Sequence, residues 1–420
     1  MVAATTIVNA RVFDGVNARD WTSVRFADGL ITECSIASAA REGDVVVDAA
    51  GGTVFPGLID AHVHLVPGAL AQSLTFGVTT VLDMFSKPDM VAAAKEQAGS
   101  RADVADVRSS GIGATAPGGH PSMMYAPFPT LTTAGEAERF VVERVAEGSD
   151  HLKIISGVGG LWPSLDSGTI TALVAAAHVN SVAGVEQVVS AGVDVVAHVP
   201  AEAELDEALV GRMAEAGIAV GPTLATIENT LGEPGGAAVA GDPRLAEVLG
   251  DAWLSRLTSA AAELGGRAMP PYSRAEDNVR RLADAGVALL VGTDAPNPGT
   301  VFGASLHREL ELLVRCGISP ARALAAATTE PARVFGLSDR GSVAVGQRAD
   351  LVLVSGDPLT DITATRAVER VWRAGVQCDR RAFVASGAEI EQLDAFDAQV
   401  AKVVAAVRER RSGFGRGKVR

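Results

Sequence analysis

The feature that most constrains this chain is an alternation that begins near residue 55. Short apolar β-runs are each followed by a polar loop and an alanine-rich helical stretch. The runs are 54–61, 77–84 (GVTTVLDM), 104–114, 150–156 (DHLKIIS), 193–199 (VDVVAHV), 217–224 (GIAVGPTL) and 287–293 (VALLVGT). Patterns such as AGEAERFVVERVAEG and SRAEDNVRRLADAG separate them and have helical periodicity. Strands alternating with helices imply parallel β-α units, and right-handed crossovers can close eight of them into a ring. The expected fold class is therefore α/β, a (β/α)8 TIM-type barrel. Seven strands stand out, one short of a full set.

The two chain ends have a different texture. Residues 4–54 carry short β-rich runs broken by turns, with Asp28-Gly29 between two of them as a hairpin signal. Residues 341–377 return to the same texture in GSVAVGQRADLVLVSGD and TRAVERVWRAGVQ. Each segment is too short to bury its own face, so the two are expected to join as one small β-sandwich domain. The expected division is 1–55 for the first part of the sandwich, 56–336 for the barrel and 337–385 for the second part. Residues 386–420 would follow as a C-terminal helix over 386–407 and a disordered, basic, glycine-rich tail, RERRSGFGRGKVR.

Composition excludes several partners. A net charge of −14 argues against a nucleic-acid surface and gives no support to an anionic membrane one. No apolar run approaches the roughly 18 residues a spanning helix needs, so no membrane is expected. The start, MVAATTIVNARVFDG, lacks the pattern of a secretory leader. Cys34, Cys316 and Cys378 are odd in number, far apart and without a C-x-x-C, which fits reduced thiols and a cytoplasmic location.

The chemistry-bearing residues lie at the ends of apolar runs, except Lys153, which sits mid-run. In TVFPGLIDAHVHL, residues 53–65, His62 and His64 alternate along a strand and point the same way, about 7 Å apart along the backbone. Two such imidazoles suit a transition metal. Lys153 stands among apolar neighbours that would desolvate an ammonium; by itself it reads equally well as a lysine snorkelling to the rim. His198 ends a strand, where it is either a ligand or a core histidine. Asp294 follows a buried run, and a carboxylate there needs a cation or hydrogen bonds. Gly111-Ile112-Gly113-Ala114-Thr115-Ala116 imitates a dinucleotide loop, but Pro117-Gly118-Gly119 follows where a helix would have to start. Gly157-Val158-Gly159-Gly160 lacks the Gly-Lys-Ser/Thr of a phosphate loop, and there is no G-x-S-x-G elbow.

Together, PGLIDAHVHL, HLKII, VDVVAHV and VGTDAPNPG resemble the amidohydrolase superfamily of metal-dependent hydrolases. GASLHRELELLVRCGISPARALAAATTEPARVFGL followed by GSVAVGQRADLVLVSGDP is similar to its prolidase-like and imidazolonepropionase-related branch. The resemblance implies a centre of two divalent metal ions, with zinc best suited to imidazole and carboxylate. His62, His64 and Asp294 would hold one ion and His178 and His198 the other, with carbamylated Lys153 bridging them. Asp294 and Lys153 would be the catalytic residues, and the metals would activate a hydroxide for attack on an amide C–N bond. The implied substrate is a small-molecule amide, an Xaa-Pro dipeptide or an N-acyl amino acid; a homo-oligomer stays open. Alternatives are a mononuclear cyclic amidine or imide hydrolase or deaminase, and an inactive barrel serving as a binding or structural subunit.

The same resemblance implies a histidine at the end of a fifth strand. Here LVAAAHVNSVAGVEQVVSAG runs straight on, so the fifth strand is expected to be defective or missing. His178 is then either its ligand or a helical residue beside a deletion. His120, on a glycine-rich loop, and Tyr125 are candidate substrate-binding residues. His307 and His151 are expected to support the site or the fold.

Overall fold

The computed structural model describes residues 3–122, 127–157, 162–173, 176–179, 181–258, 270–381, 384 and 386–414. The fold is mixed α/β. Parallel strands fall in two sheets whose neighbours follow sequence order. Leu58–Val63, Val78–Asp83 and Asp106–Ser109 make a three-stranded sheet. Lys153–Ile155, Ala176–His178, Val195–Ala197, Ala219–Gly221 and Ala288–Leu289 make a five-stranded one. Most of these strands are buried on both faces, which favours apolar side chains along their length; Asp106–Ser109 alternates instead, with Asp106 and Arg108 on its half-buried face.

Hydrogen bonds join the two sheets at both edges. The Ala114 amide donates to the Lys153 carbonyl at 2.7 Å, and a parallel bridge pairs Ala114 with Ile154. At the opposite edge the Ala61 amide donates to Val291 and the His64 amide to Ala295, each at 2.8 Å. The residues at the C-terminal ends of the first and last strands are thereby brought side by side.

The expectation of a defective or missing fifth strand is corrected. Ala176–His178 is a strand, paired in parallel with Lys153–Ile155 on one side and Val195–Ala197 on the other. It is three residues long, and its two alanines follow the helix Ser167–Leu173 closely. Alanine favours helix, so the local sequence argues against the structure that tertiary pairing imposes. His178 is accordingly a strand residue, in register with Ile155 and Ala197.

The chain ends meet as anticipated. Leu351–Val354, from the C-terminal part, pairs antiparallel with Thr53–Pro56 from the N-terminal part, within a six-stranded sheet. A second sheet holds Leu30–Ser35, Ser23–Ala27, Thr5–Val8 and Val45–Asp48. Ile7, Val24, Phe26 and Ile31 of one sheet share an apolar cluster with Val54, Leu351, Leu353 and Trp372 of the other. The Asp28-Gly29 turn has both residues at positive φ, 49° and 83°, the geometry that suits a two-residue hairpin. Arg340 and Arg348 reach from this part to Asp106, at the start of the third parallel strand.

The closing helix is longer than expected. It runs Gly387–Phe414, taking in residues assigned above to a disordered tail, and Leu393 is buried against the main core. Among the described residues no helix is long and apolar enough to cross a membrane.

Candidate metal centre

The first strand delivers two imidazoles. Gly57 alone separates it from the preceding strand, Thr53–Pro56, and Leu58 and Ile59 anchor it in the core. His62 and His64 then emerge at its end, ring centroids 5.4 Å apart. The last strand delivers Asp294 to the same place. Its Oδ1 lies 2.9 Å from His64 Nε2 and 3.4 Å from His62 Nε2. One ligand atom from each of the three residues falls within 4.8 Å of the others.

A second pair adjoins the first. His178 and His198 face each other with Nδ1 and Nε2 2.8 Å apart. The His198 ring centroid lies 4.8 Å from that of His62. Lys153 is buried on the strand beside His178, and its Nζ has no hydrogen-bond partner among the described residues. The Nε2 of His62 is likewise buried and makes no hydrogen bond among the described residues. Buried polar atoms normally find partners, so two orphans in one cluster of ligand-type side chains mark a place for an absent group.

The protonation states suit a cation. Burial, followed by the Lys153 charge, holds His62 far below the ordinary imidazole range. Burial and the His198 charge do the same to His178, and burial brings His198 down to about 4. These imidazoles are therefore neutral, with lone pairs to offer. His64 is the exception: burial lowers it, but the Asp294 hydrogen bond and charge outweigh burial and raise it. Asp294 is lowered despite burial, because His64, His198 and Lys153 surround it. Burial brings the Lys153 ammonium down to about 7, against the pull of Asp294 and Asp83.

Distances agree with the donor chemistry. Ligands about 2.0–2.1 Å from a tetrahedral ion are about 3.3 Å apart. The 3.4 Å His62–Asp294 separation meets that, and the 2.8–2.9 Å pairs need only small rotations. The residues present fit a divalent cation.

Other side chains hold this geometry, and the sequence reading passed over them. Asp60, buried, accepts from the His62 amide at 3.2 Å, the Thr293 amide at 3.0 Å and the Thr293 hydroxyl at 2.7 Å. It thereby ties the two arms of the His62–His64–Asp294 group, and burial raises its pKa to about 7. Asp83 accepts from the Leu65 amide and from the Ser86 and Ser109 hydroxyls. Thr223 Oγ1 lies 2.6 Å from His198 Nδ1. A buried carboxylate after a β-run was a sufficient signal for Asp294; applied to Asp60 and Asp83, it would have found both.

The remaining candidates divide. His120 approaches the centre, its ring centroid 6.1 Å from that of His178 and 6.3 Å from that of Trp162. Its buried Nδ1 has no partner among the described residues. Tyr125 lies outside the described residues. His307 bonds the Phe76 carbonyl at 3.0 Å and belongs to the packing. His151 packs edge-on against Phe335 and lines a cavity of about 600 Å³ beside Leu152, which precedes its strand, and Ala176 and Val195, which begin theirs. That cavity lies at the strand ends opposite the metal ligands.

Residues 272–378 match the amidohydrolase family model. An imidazolonepropionase of Deinococcus deserti is 45% identical over 102 residues, which is 23% of this chain and 25% of that protein. The chain thus matches about a quarter of the length of such curated relatives. A Bifidobacterium longum structure described as a candidate prolidase is 27% identical, with a TM-score of 0.72 over 94% of this chain and 100% of its own. A Xaa-Pro dipeptidase with methionine in its active site shares the fold at 20% identity, with a TM-score of 0.72 over 90% of this chain and 100% of its own. Residues 272–378 therefore carry the amidohydrolase pattern, and prolidases and imidazolonepropionases are among the proteins the chain resembles.

Proposed function

We propose that this protein is a metal-dependent hydrolase that cleaves the C–N bond of a small amide, an Xaa-Pro dipeptide or an N-acyl amino acid. The observation that carries the reading is the convergence of His62, His64 and Asp294 within 4.8 Å, beside the His178–His198 pair. In this reading the eight parallel strands close as a (β/α)8 barrel over 56–336. Residues 1–55 and 337–385 form the β-sandwich. His62, His64 and Asp294 would hold one divalent cation and His178 and His198 another, and Lys153, as a carbamate, would supply a further anionic ligand. The Nζ of Lys153 would form a bond to the carbon of carbon dioxide and release a proton. Bound cations, zinc above all, would supply Lewis acidity and lower the pKa of water towards neutrality.

The chain's own groups then have definite tasks. His120, with an unpartnered Nδ1 at the edge of the centre, would orient the substrate. Asp294 would turn one carboxylate oxygen to the cation, leaving the other to take the proton of the attacking water. It would return that proton to the leaving nitrogen as the C–N bond breaks, giving an acid and an amine. The mononuclear alternative, hydrolysis or deamination of a cyclic amidine or imide, is favoured by the 45% identity to imidazolonepropionase, but only over 102 residues. Against it stands Lys153, buried in the cluster. The inactive-subunit alternative loses its support, because the fifth strand is present.

Metal analysis of protein expressed with zinc and bicarbonate tests the proposal. About two equivalents and turnover of Xaa-Pro or N-acyl substrates are expected, and Lys153→Ala should lose both the bridged centre and most activity. Metal content and turnover unchanged by that substitution would overturn the role of Lys153. Protein that binds no cation would overturn the whole reading.

A further inference from the structure

We infer that Thr223 is a positioning residue that fixes the tautomer of His198 and so aims a bare Nε2 into the cluster. The inference rests on the metal-centre reading for its consequence but not for its geometry. Thr223 is the residue after the seventh parallel strand, Ala219–Gly221, and the intervening Pro222. It is fully buried. Its Oγ1 lies 2.6 Å from His198 Nδ1 and 2.7 Å from the Pro222 carbonyl oxygen.

Counting hydrogens settles the direction. A threonine hydroxyl has one hydrogen to give, whereas a peptide carbonyl can only accept. The hydroxyl therefore donates to Pro222, and its lone pair accepts from His198 Nδ1–H. A neutral imidazole protonated at Nδ1 is bare at Nε2, the atom 2.8 Å from His178 Nδ1. Without a cation, the hydrogen in that second contact must come from His178. Binding an ion there would leave His198 as it is and require His178 to move its hydrogen to Nε2. The two histidines are unequal: one is preset, the other must switch.

The structure also accounts for how the hydroxyl reaches its place. Thr223 and His198 both have left-handed backbones, φ 53° and 72°. The turn after Thr223 is clamped from behind by buried Glu309, whose carboxylate accepts from the Leu224 amide at 2.8 Å and the Ala225 amide at 2.7 Å. Thr226 ties the same turn to the Asp294 arm, its hydroxyl donating to the Thr293 carbonyl at 2.8 Å.

The test is long-range 1H–15N NMR of the imidazoles in metal-free, histidine-labelled protein, with the His198 resonances identified by loss in His198→Asn. The wild type should have His198 protonated at Nδ1. Thr223→Ala should mix the two tautomers, and Thr223→Ser should restore the wild-type signature. Competition with a chelator should find zinc held about 10- to 100-fold more weakly by Thr223→Ala. Wild-type His198 protonated at Nε2 overturns the inference, with no variant needed. So does a tautomer indifferent to Thr223→Ala in a folded variant. The expected tautomer in a protein that binds no zinc would instead uphold the inference and sink the metal-centre reading.

Discussion

Gly292→Ala should damage the metal centre without touching a ligand. Gly292 lies two residues before Asp294, where the last strand segment crosses the end of the first. An added Cβ would stand 2.7 Å from the His62 Cβ and 3.1 Å from the His62 amide nitrogen. Ordinary contact begins at 3.4 Å, so about 0.7 Å must be recovered by movement. The obstacles are backbone and Cβ, with no flexible side-chain tip to swing aside. The His62 peptide is also pinned on both sides: its amide donates to Asp60 at 3.2 Å and its carbonyl accepts from the Asp294 amide at 2.7 Å. Displacement is therefore passed directly to His62 and Asp294. Overpacking of this kind costs about 1–3 kcal/mol. Site geometry tolerates only about 0.5 Å. If the whole cost appears in cation binding, affinity falls about 5- to 150-fold. Zinc titration against a chromophoric chelator measures this, with the thermal midpoint of the metal-free protein read in parallel. Wild-type affinity and midpoint together would refute the claim that this close approach sets the His62–Asp294 geometry.

Two further outcomes test the scaffold. Asp106 is raised by burial, but the adjacent Arg340 and Arg348 outweigh this and hold it well below the ordinary carboxylate range. Its stabilisation is therefore present above about pH 4 and lost as pH falls through the folded pKa. Asp106→Asn should cost about 1.5–3 kcal/mol by removing the carboxylate that Arg340 and Arg348 share, although Arg340 keeps Asp339 and Arg348 keeps Asp350, and should flatten the acid limb of a thermal-midpoint profile; an unaltered acid limb would contradict the assignment. Gly211, inside the helix Glu207–Glu215, has nothing within 4 Å of an added Cβ. Gly211→Ala should stabilise by about 0.5–1 kcal/mol, and a lowered thermal midpoint would mean the helix is not packed as described.

What could be read from the sequence followed from local rules. The parallel strands announced themselves because burial on both faces makes them continuous apolar runs. The hairpin at Asp28-Gly29 and the pairing of the chain ends followed from turn chemistry and from segments too short to stand alone. His62, His64, His198 and Asp294 were visible as polar residues stranded at the ends of apolar runs, and Lys153 as a charge inside one. Ala176–His178 was not, because three residues in an alanine-rich stretch carry no strand signal; pairing with two neighbours decides their conformation. Asp60 was passed over because it precedes the two histidines and was read as part of their motif rather than as a buried charge in its own right.

The least legible property is backbone strain, and it is concentrated where the chemistry is proposed. His198, Thr223 and Asp294 all have φ between 53° and 72°, a region costly for residues other than glycine. Thr223 is β-branched, for which the conformation is especially unfavourable, and each such residue costs about 1–3 kcal/mol. No local preference in the sequence predicts it. Each is held by bonds from distant parts of the chain: the Asp294 amide by His62, the turn after Thr223 by Glu309, and the His198 amide by Gly221. Strain persists only where the surroundings over-determine it. The same contacts that overrule local preference point Asp294 Oδ1, His198 Nε2 and Thr223 Oγ1 at their partners. Relaxing any of the three to an ordinary β conformation would turn that atom away, so the strain and the site geometry are one arrangement.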